Sequence, residues 1–192
     1  MNKFFNISLP LLLLFSFALL CSFNSMNYTD VKILWWEETQ VVLNLKFISK
    51  MNEEERAILA LLSTYAGGEC IYNEDTKLEC SLTSALNLGY QCSEEHLSFV
   101  KKWFLKDYDV YTRINDCYSV PYTATNQSKF SEILFSRNKN MITVKYKIQG
   151  VNLAELLFYE WEFIETFELR DNYLFKINEE VIYNKVEKIN TE

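Results

Sequence analysis

Between residues 141 and 170 the chain alternates apolar and polar side chains for longer than a helix could sustain. Ile142, Val144, Tyr146 and Ile148 interleave with Thr143, Lys145 and Lys147, the period of two that a half-buried strand requires. A looser turn over Gln149 to Ala154 leads into residues 156–169, predicted as one long strand. Its odd positions read Leu157, Tyr159, Trp161, Phe163, Glu165, Phe167 and Leu169. Its even positions read Phe158, Glu160, Glu162, Ile164, Thr166, Glu168 and Arg170. Asp171-Asn172 is a tight-turn signal. Tyr173, Phe175 and Ile177 then continue the buried parity over a strand at 173–178, with Val181 to Tyr183 as its extension. Upstream, residues 130–136 meet 141–148 across Arg137-Asn138-Lys139-Asn140. Short connections predict a meander in which each strand is antiparallel to the next.

The first half of the chain has a different period. Asn52 with Glu55 makes a capping-box pattern, and Glu53 to Glu55 suit a solvated helix start facing the positive end of the dipole. Ala57, Ile58, Leu61, Leu62 and Tyr65 follow at helical spacing, and Gly67-Gly68 closes a helix predicted over 52–66. Residues 81–88 read as a short helix ended by Gly89. Ser93 caps another over 93–105, with Leu97, Val100, Trp103 and Phe104 as its buried stripe. His96, the one histidine, is expected as an exposed residue of that helix's first turn. Residues 26–50 read either as strands or as a first helix. Residues 108–114 and 117–122 read as short strands. Of Trp35 and Trp36, one ring is expected buried and one partly exposed. Helices first and an antiparallel sheet last define an α+β domain, with N-terminal helices packed on one face of a curved sheet.

Residues 1–25 carry the features of a secretory signal. Lys3 is the only charge before Asp30, and residues 9–20 are apolar apart from Ser16, a basic start and short apolar stretch followed by small polar residues. A membrane span needs about 20 apolar residues, and here the stretch fades at Cys21 to Ser25. Leu20 stands where a lipoprotein signal wants a small residue before Cys21. Residues 26–192 are then a single domain outside the cytosol, secreted or periplasmic. A net charge of −7 argues against nucleic acid and anionic membranes as partners, since both need basic patches.

Export changes the meaning of the cysteines. Cys70, Cys80, Cys92 and Cys117 are an even set, which in an exported domain reads as two disulfides. Three connectivities exist. The preferred one joins Cys70 to Cys80 around a short polar loop and Cys92 to Cys117 between a helix start and a later strand. Zinc ligation lacks a C-x-x-C pair. Gly67, Gly68, Gly89 and Gly150 are the only glycines and build no phosphate-cradling loop. The sequence therefore names no metal and no cofactor. Asn27-Tyr28-Thr29 and Asn126-Gln127-Ser128 fit glycosylation sequons.

The helix EEERAILALLSTYAGG and the segments ITVKYKI, FYEWEFIETFELRDN and YLFKI together resemble the nuclear transport factor 2-like (cystatin-like) cone fold. That resemblance implies a curled sheet with a pocket between helices and sheet. The superfamily holds isomerases, dehydratases, hydrolases and ligand-binding domains, so the resemblance implies no single activity. Two functions are open. One is a binding domain for a small apolar ligand or a partner protein. The other is a cone-fold enzyme using an inward carboxylate and tyrosines. Strict alternation sets Glu165 beside Trp161, Phe163 and Phe167. If Leu169 pairs with Tyr173, Glu165 falls opposite Ile177. A carboxylate there must find donors, stay neutral or face a wet pocket, whereas a β-bulge near Ile164 would turn it outward. Glu165 is the one catalytic candidate, and Tyr146, Tyr159, Trp161 and Glu165 are the candidate ligand-binding residues. On the opposite face, Lys145 and Lys147 are placed to pair with Glu160 and Glu162.

Overall fold

The computed structural model describes residues 27–38, 40–66, 70–73, 77–117 and 126–189. The predicted signal segment, the predicted Gly67-Gly68 helix end and the strand reading of residues 118–122 lie outside the described residues. The fold is α+β, built on a six-stranded antiparallel sheet. Residues 26–50 divide into β1 (Tyr28–Glu37), β2 (Gln40–Leu43) and a single turn of helix, α1 (Leu45–Ile48). β1 and β2 form a hairpin, and β1 then pairs with β5 (Asn126–Asn138). β5, β6 (Met141–Asn152), β7 (Leu157–Arg170) and β8 (Tyr173–Lys188) follow as the expected meander, giving the order β2-β1-β5-β6-β7-β8. The sheet therefore begins with an N-terminal strand that the helices-first reading left undecided.

Turn chemistry fixes the registers. Asp171 and Asn172 both sit at positive φ, 49° and 64°, the mirror-image turn whose twist matches flanking strands. Only two residues are used, so Arg170 faces Tyr173 and Leu169 faces Leu174. The parity predicted for β8 is thereby corrected: Leu174 is buried and Ile177 is exposed. Register shifts at Ile177 and Ile182 interrupt β8 again, and Glu165 lies opposite Glu179, not Ile177. At the β5–β6 turn the loop is likewise only Lys139-Asn140, and Arg137 belongs to the strand.

The helices cover one part of the sheet's inner face. α2 (Glu53–Leu62) carries the expected capping box, with the Asn52 N–H donating to Glu55 Oε2 at 3.0 Å. After the small hairpin of β3 (Cys70–Asn73) and β4 (Lys77–Cys80) come α3 (Ser81–Ala85) and α4 (Glu94–Trp103), then α5 (Tyr108–Asn115). The strand predicted over 108–114 is therefore a helix. Asp107 Oδ1 accepts from the Val110 N–H at 3.1 Å, and Val110 and Ile114, four apart, are its buried pair, a capped amphipathic turn too short for periodicity to declare. Ile58, Leu61 and Leu62 of α2 and Val100 and Phe104 near α4 join Phe135, Ile142, Val144, Phe167 and Leu174 of the sheet in one core. Phe104 meets Phe167 edge to face at 5.9 Å.

A buried charge cluster joins α2 to the sheet. Arg137 Nη1 donates to Glu55 Oε1 at 2.5 Å and Nη2 to Glu54 Oε1 at 2.9 Å. The Arg137 and Glu55 side chains are each 5 % exposed. The reading of Glu53 to Glu55 as a solvated helix start is thus corrected for Glu55. On the outer face Lys32, Glu132, Lys147, Glu162 and Lys145 alternate in sign across four strands, with contacts of 2.8, 3.7, 4.0 and 2.7 Å. Glu160 leaves this ladder and accepts instead from Gln149 at 2.5 Å. Trp35 and Trp36 are both half-buried, contrary to the expected split. Trp35 Nε1 donates to Glu37 at 2.9 Å and Trp36 Nε1 to the Phe130 carbonyl at 2.6 Å.

Removing one partner of a buried pair strands the other charge. Arg137→Ala is expected to lower unfolding stability by about 3–5 kcal/mol, whereas Lys102→Ala, which removes an exposed partner of Glu53, should cost under about 1 kcal/mol. Chemical denaturation of the two variants measures the difference.

Candidate functional site

Glu165 lies on the inner face of β7 and is 0 % exposed. Three donors reach it. Tyr146 Oη, one strand away on β6, donates to Oε1 at 3.2 Å. Tyr65 Oη, just past the end of α2, donates to Oε2 at 3.5 Å. Lys176 Nζ, on β8, donates to Oε1 at 3.5 Å. Lys176 also donates to Glu179, Glu179 faces Arg113 Nη2 at 3.9 Å, and the Arg113 guanidinium sits 5.3 Å over the Tyr65 ring. These contacts form a closed ring in which Glu165, Lys176, Glu179 and Arg113 alternate in charge and the neutral Tyr65 completes it. Three members have a local cause: the two-residue turn turns Lys176 inward, the register step at Ile177 brings Glu179 opposite Glu165, and α5 carries Arg113 to Glu179 and the Tyr65 ring.

Burial pushes the Glu165 carboxyl above the ordinary carboxylate range. The Lys176 charge pulls it back, the Glu179 charge raises it further, and the bond from Tyr146 lowers it. The Tyr146 and Tyr65 phenols are both raised, first by burial and then by the Glu165 charge. Burial would raise Glu179 too, but its bond and charge contact with Lys176 and the nearby Arg113 outweigh it and hold that carboxyl low. A buried acid between two phenols can exchange a proton in principle, but no substrate atom reaches an acid with no exposed surface.

Tyr159 and Trp161 lie apart from this cluster. The Tyr159 ring lies over Gly150: a Cβ at Gly150 would stand 2.3 Å from the ring. Its hydroxyl donates to the Gln127 carbonyl at 3.4 Å and not to Glu165. Trp161 stacks on Phe163 at 6.1 Å, and Phe163 on Tyr146 at 5.1 Å, within 20° of parallel. Tyr159, Trp161 and Phe163 stay half-buried. The four candidate residues thus divide into a sealed polar pair, Glu165 with Tyr146, and a partly open aromatic row. Sequence reasoning missed Tyr65, Arg113, Lys176 and Glu179. Tyr65 stood on the helical stripe, but Lys176 and Glu179 become legible only once the turn length and the register steps are known.

His96 is fully buried, and its placement as an exposed helix residue is corrected. It precedes Val100 by four, so it shares a face with Val100 and Phe104. Nδ1 accepts from the Cys92 N–H at 3.0 Å, which places the ring proton on Nε2, within 2.8 Å of the Ala60 carbonyl and 3.0 Å of Ser63 Oγ. Cys92 forms a disulfide with Cys117, Cα to Cα 5.7 Å. Since Cys117 lies two residues past α5, the bridge joins the start of α4 to the end of α5 and not to a strand. Cys70 and Cys80 face each other in register across β3 and β4, and their side chains lie outside the described residues. Among the described residues no group of His, Cys, Asp and Glu could hold a metal ion, and no helix is long and apolar enough to cross a membrane. No family model, no curated protein and no solved structure matches the chain.

Burial lowers the His96 pKa, against a smaller raising effect of the bond to the Ala60 carbonyl, so the folded chain takes up a proton there less readily than the unfolded chain. Below the unfolded value of about 6.5 the unfolded chain binds a proton that the folded chain refuses, and stability falls as pH falls. Between about pH 7.5 and 5.5 the chain is expected to lose stability relative to His96→Gln; parallel pH profiles from thermal or urea melts would refute this. Thiol labelling of the unreduced, denatured chain is expected to modify none of Cys70, Cys80, Cys92 and Cys117; labelling of two or more would remove the second bridge.

Proposed function

We propose that the chain is an exported binding domain that takes a small apolar ligand against the inner face of its sheet, in a nuclear transport factor 2-like setting. The observation that carries this reading is the partly open row of Tyr159, Trp161 and Phe163, set beside a carboxyl that is closed to solvent. Large rings on a rigid strand offer apolar contact area at little entropic cost, and Gly150 gives Tyr159 room to lie flat. The second reading, an enzyme of the same superfamily, is favoured by the raised Glu165 carboxyl touching Tyr146. It requires Tyr65 and Lys176 to leave Glu165 before any substrate enters, so binding without turnover is the better-supported function.

A neutral fluorescent probe, N-phenyl-1-naphthylamine, tests the seat. It is expected to bind with a blue-shifted emission and to quench tryptophan fluorescence. Trp161→Ala should weaken binding about tenfold, the loss expected when one large ring leaves an apolar site. Glu165→Gln should leave it unchanged. Binding lost in Glu165→Gln and kept in Trp161→Ala would move the ligand to the polar cluster and revive the enzyme.

A further inference from the structure

β8 outruns the helical layer. Its first four residues are packed, but every residue from Ile177 to Lys188 is exposed. The strand is also the edge of the sheet, so its outer side offers ladder groups to another strand. Near its start that side is taken. Asp107 Oδ2 accepts from the Lys176 N–H at 2.7 Å, Lys106 Nζ lies 4.3 Å over the Tyr173 ring, and Arg113 reaches Glu179. Farther along, Val181, Ile182, Tyr183 and Val186 are all exposed, Val186 by 56 %.

We propose that this edge pairs with the same edge of a second copy of the chain, antiparallel about a two-fold axis at Val186, so that one sheet runs through both. The occupant follows from charge. A two-fold axis normal to a sheet keeps each residue on its own face and sets residues equidistant from the axis opposite one another. Val186 faces Tyr159, and Lys185 and Glu187 flank it opposite Glu160 and Phe158, on the outer face. An axis at Val186 therefore places Lys185 against Glu187 of the other copy, twice over. It also places Asn184 against Lys188 on the inner face, with no like-charged pair between residues 184 and 188. An axis at Lys185 or Glu187 sets like charge on like. An axis at Asn184 or earlier, paired over the same five residues, reaches the register step at Ile182. Within one chain Lys185 Nζ and Glu187 Oε2 already lie 2.9 Å apart, so pairing extends an existing couple into a four-charge cluster. This inference does not depend on the ligand reading.

The full chain in its natively processed form is examined by sedimentation equilibrium over about 1–200 μM, a range that brackets micromolar dimers. A reversible monomer–dimer equilibrium is expected. Lys185→Glu alone and Glu187→Lys alone should each weaken the dimer about tenfold, because each turns two attractions into two repulsions. The combined swap should restore it to within about twofold of the parent. Both changed positions are exposed, and circular dichroism checks that the fold is kept in all three variants. A monomer throughout the range, a dimer that neither reversal moves, or a swap no better than the single reversals overturns the proposal.

Discussion

A buried guanidinium fastens the first long helix to the sheet. Arg137 emerges from the end of β5, where a two-residue turn leaves no slack, and grips the first turn of α2 through Glu55 and Glu54. The same glutamate closes the capping box on Asn52, so one carboxylate both starts the helix and docks it. Everything downstream inherits that placement. The angle of α2 sets where Ala60 and Ser63 meet His96, and hence where α4 lies. Past its end, Tyr65 is delivered to Glu165. A charged joint is a costly way to fasten two layers, but unlike a greasy contact it has only one register.

Much of the sheet was legible in the residues because alternation is a local property. Ile142 to Ile148 and Leu157 to Leu169 declare their faces without reference to anything else, and their antiparallel order follows from the shortness of their connections. What was not legible depended on counts of one. Using two turn residues where a three-residue reading had placed Tyr173 opposite Leu169 reversed the parity of β8. Two register steps then changed it twice more. The helix at Tyr108–Asn115 was hidden by its length, since two buried residues four apart are compatible with either period. His96 was hidden by chemistry: a polar ring four residues before Val100 reads as surface until its backbone partners are known.

The candidate site was legible in the same uneven way. The inward direction of Glu165 follows from alternation alone, but its surroundings do not. Lys176, Glu179 and Arg113 come from an edge strand and a helix whose positions no single-strand pattern contains. Tyr159, grouped with Glu165 as a candidate ligand-binding residue, lies instead over Gly150, where the lack of a side chain creates a flat berth. The result is a carboxyl surrounded by its own donors, which explains how a core of aromatic rings tolerates an ionisable group at its centre.

The outer face has a different consequence. Lys32, Glu132, Lys147, Glu162 and Lys145 alternate so closely that all but one positive charge of the ladder is cancelled within about a Debye length, roughly 8 Å at physiological salt. From any distance that side of the molecule is electrically quiet, although it is crowded with charge. The chain's excess of negative charge therefore lies outside this ladder. A charged molecule diffusing toward this protein is turned before it touches, and meets the ladder only after the rest of the surface has decided the approach.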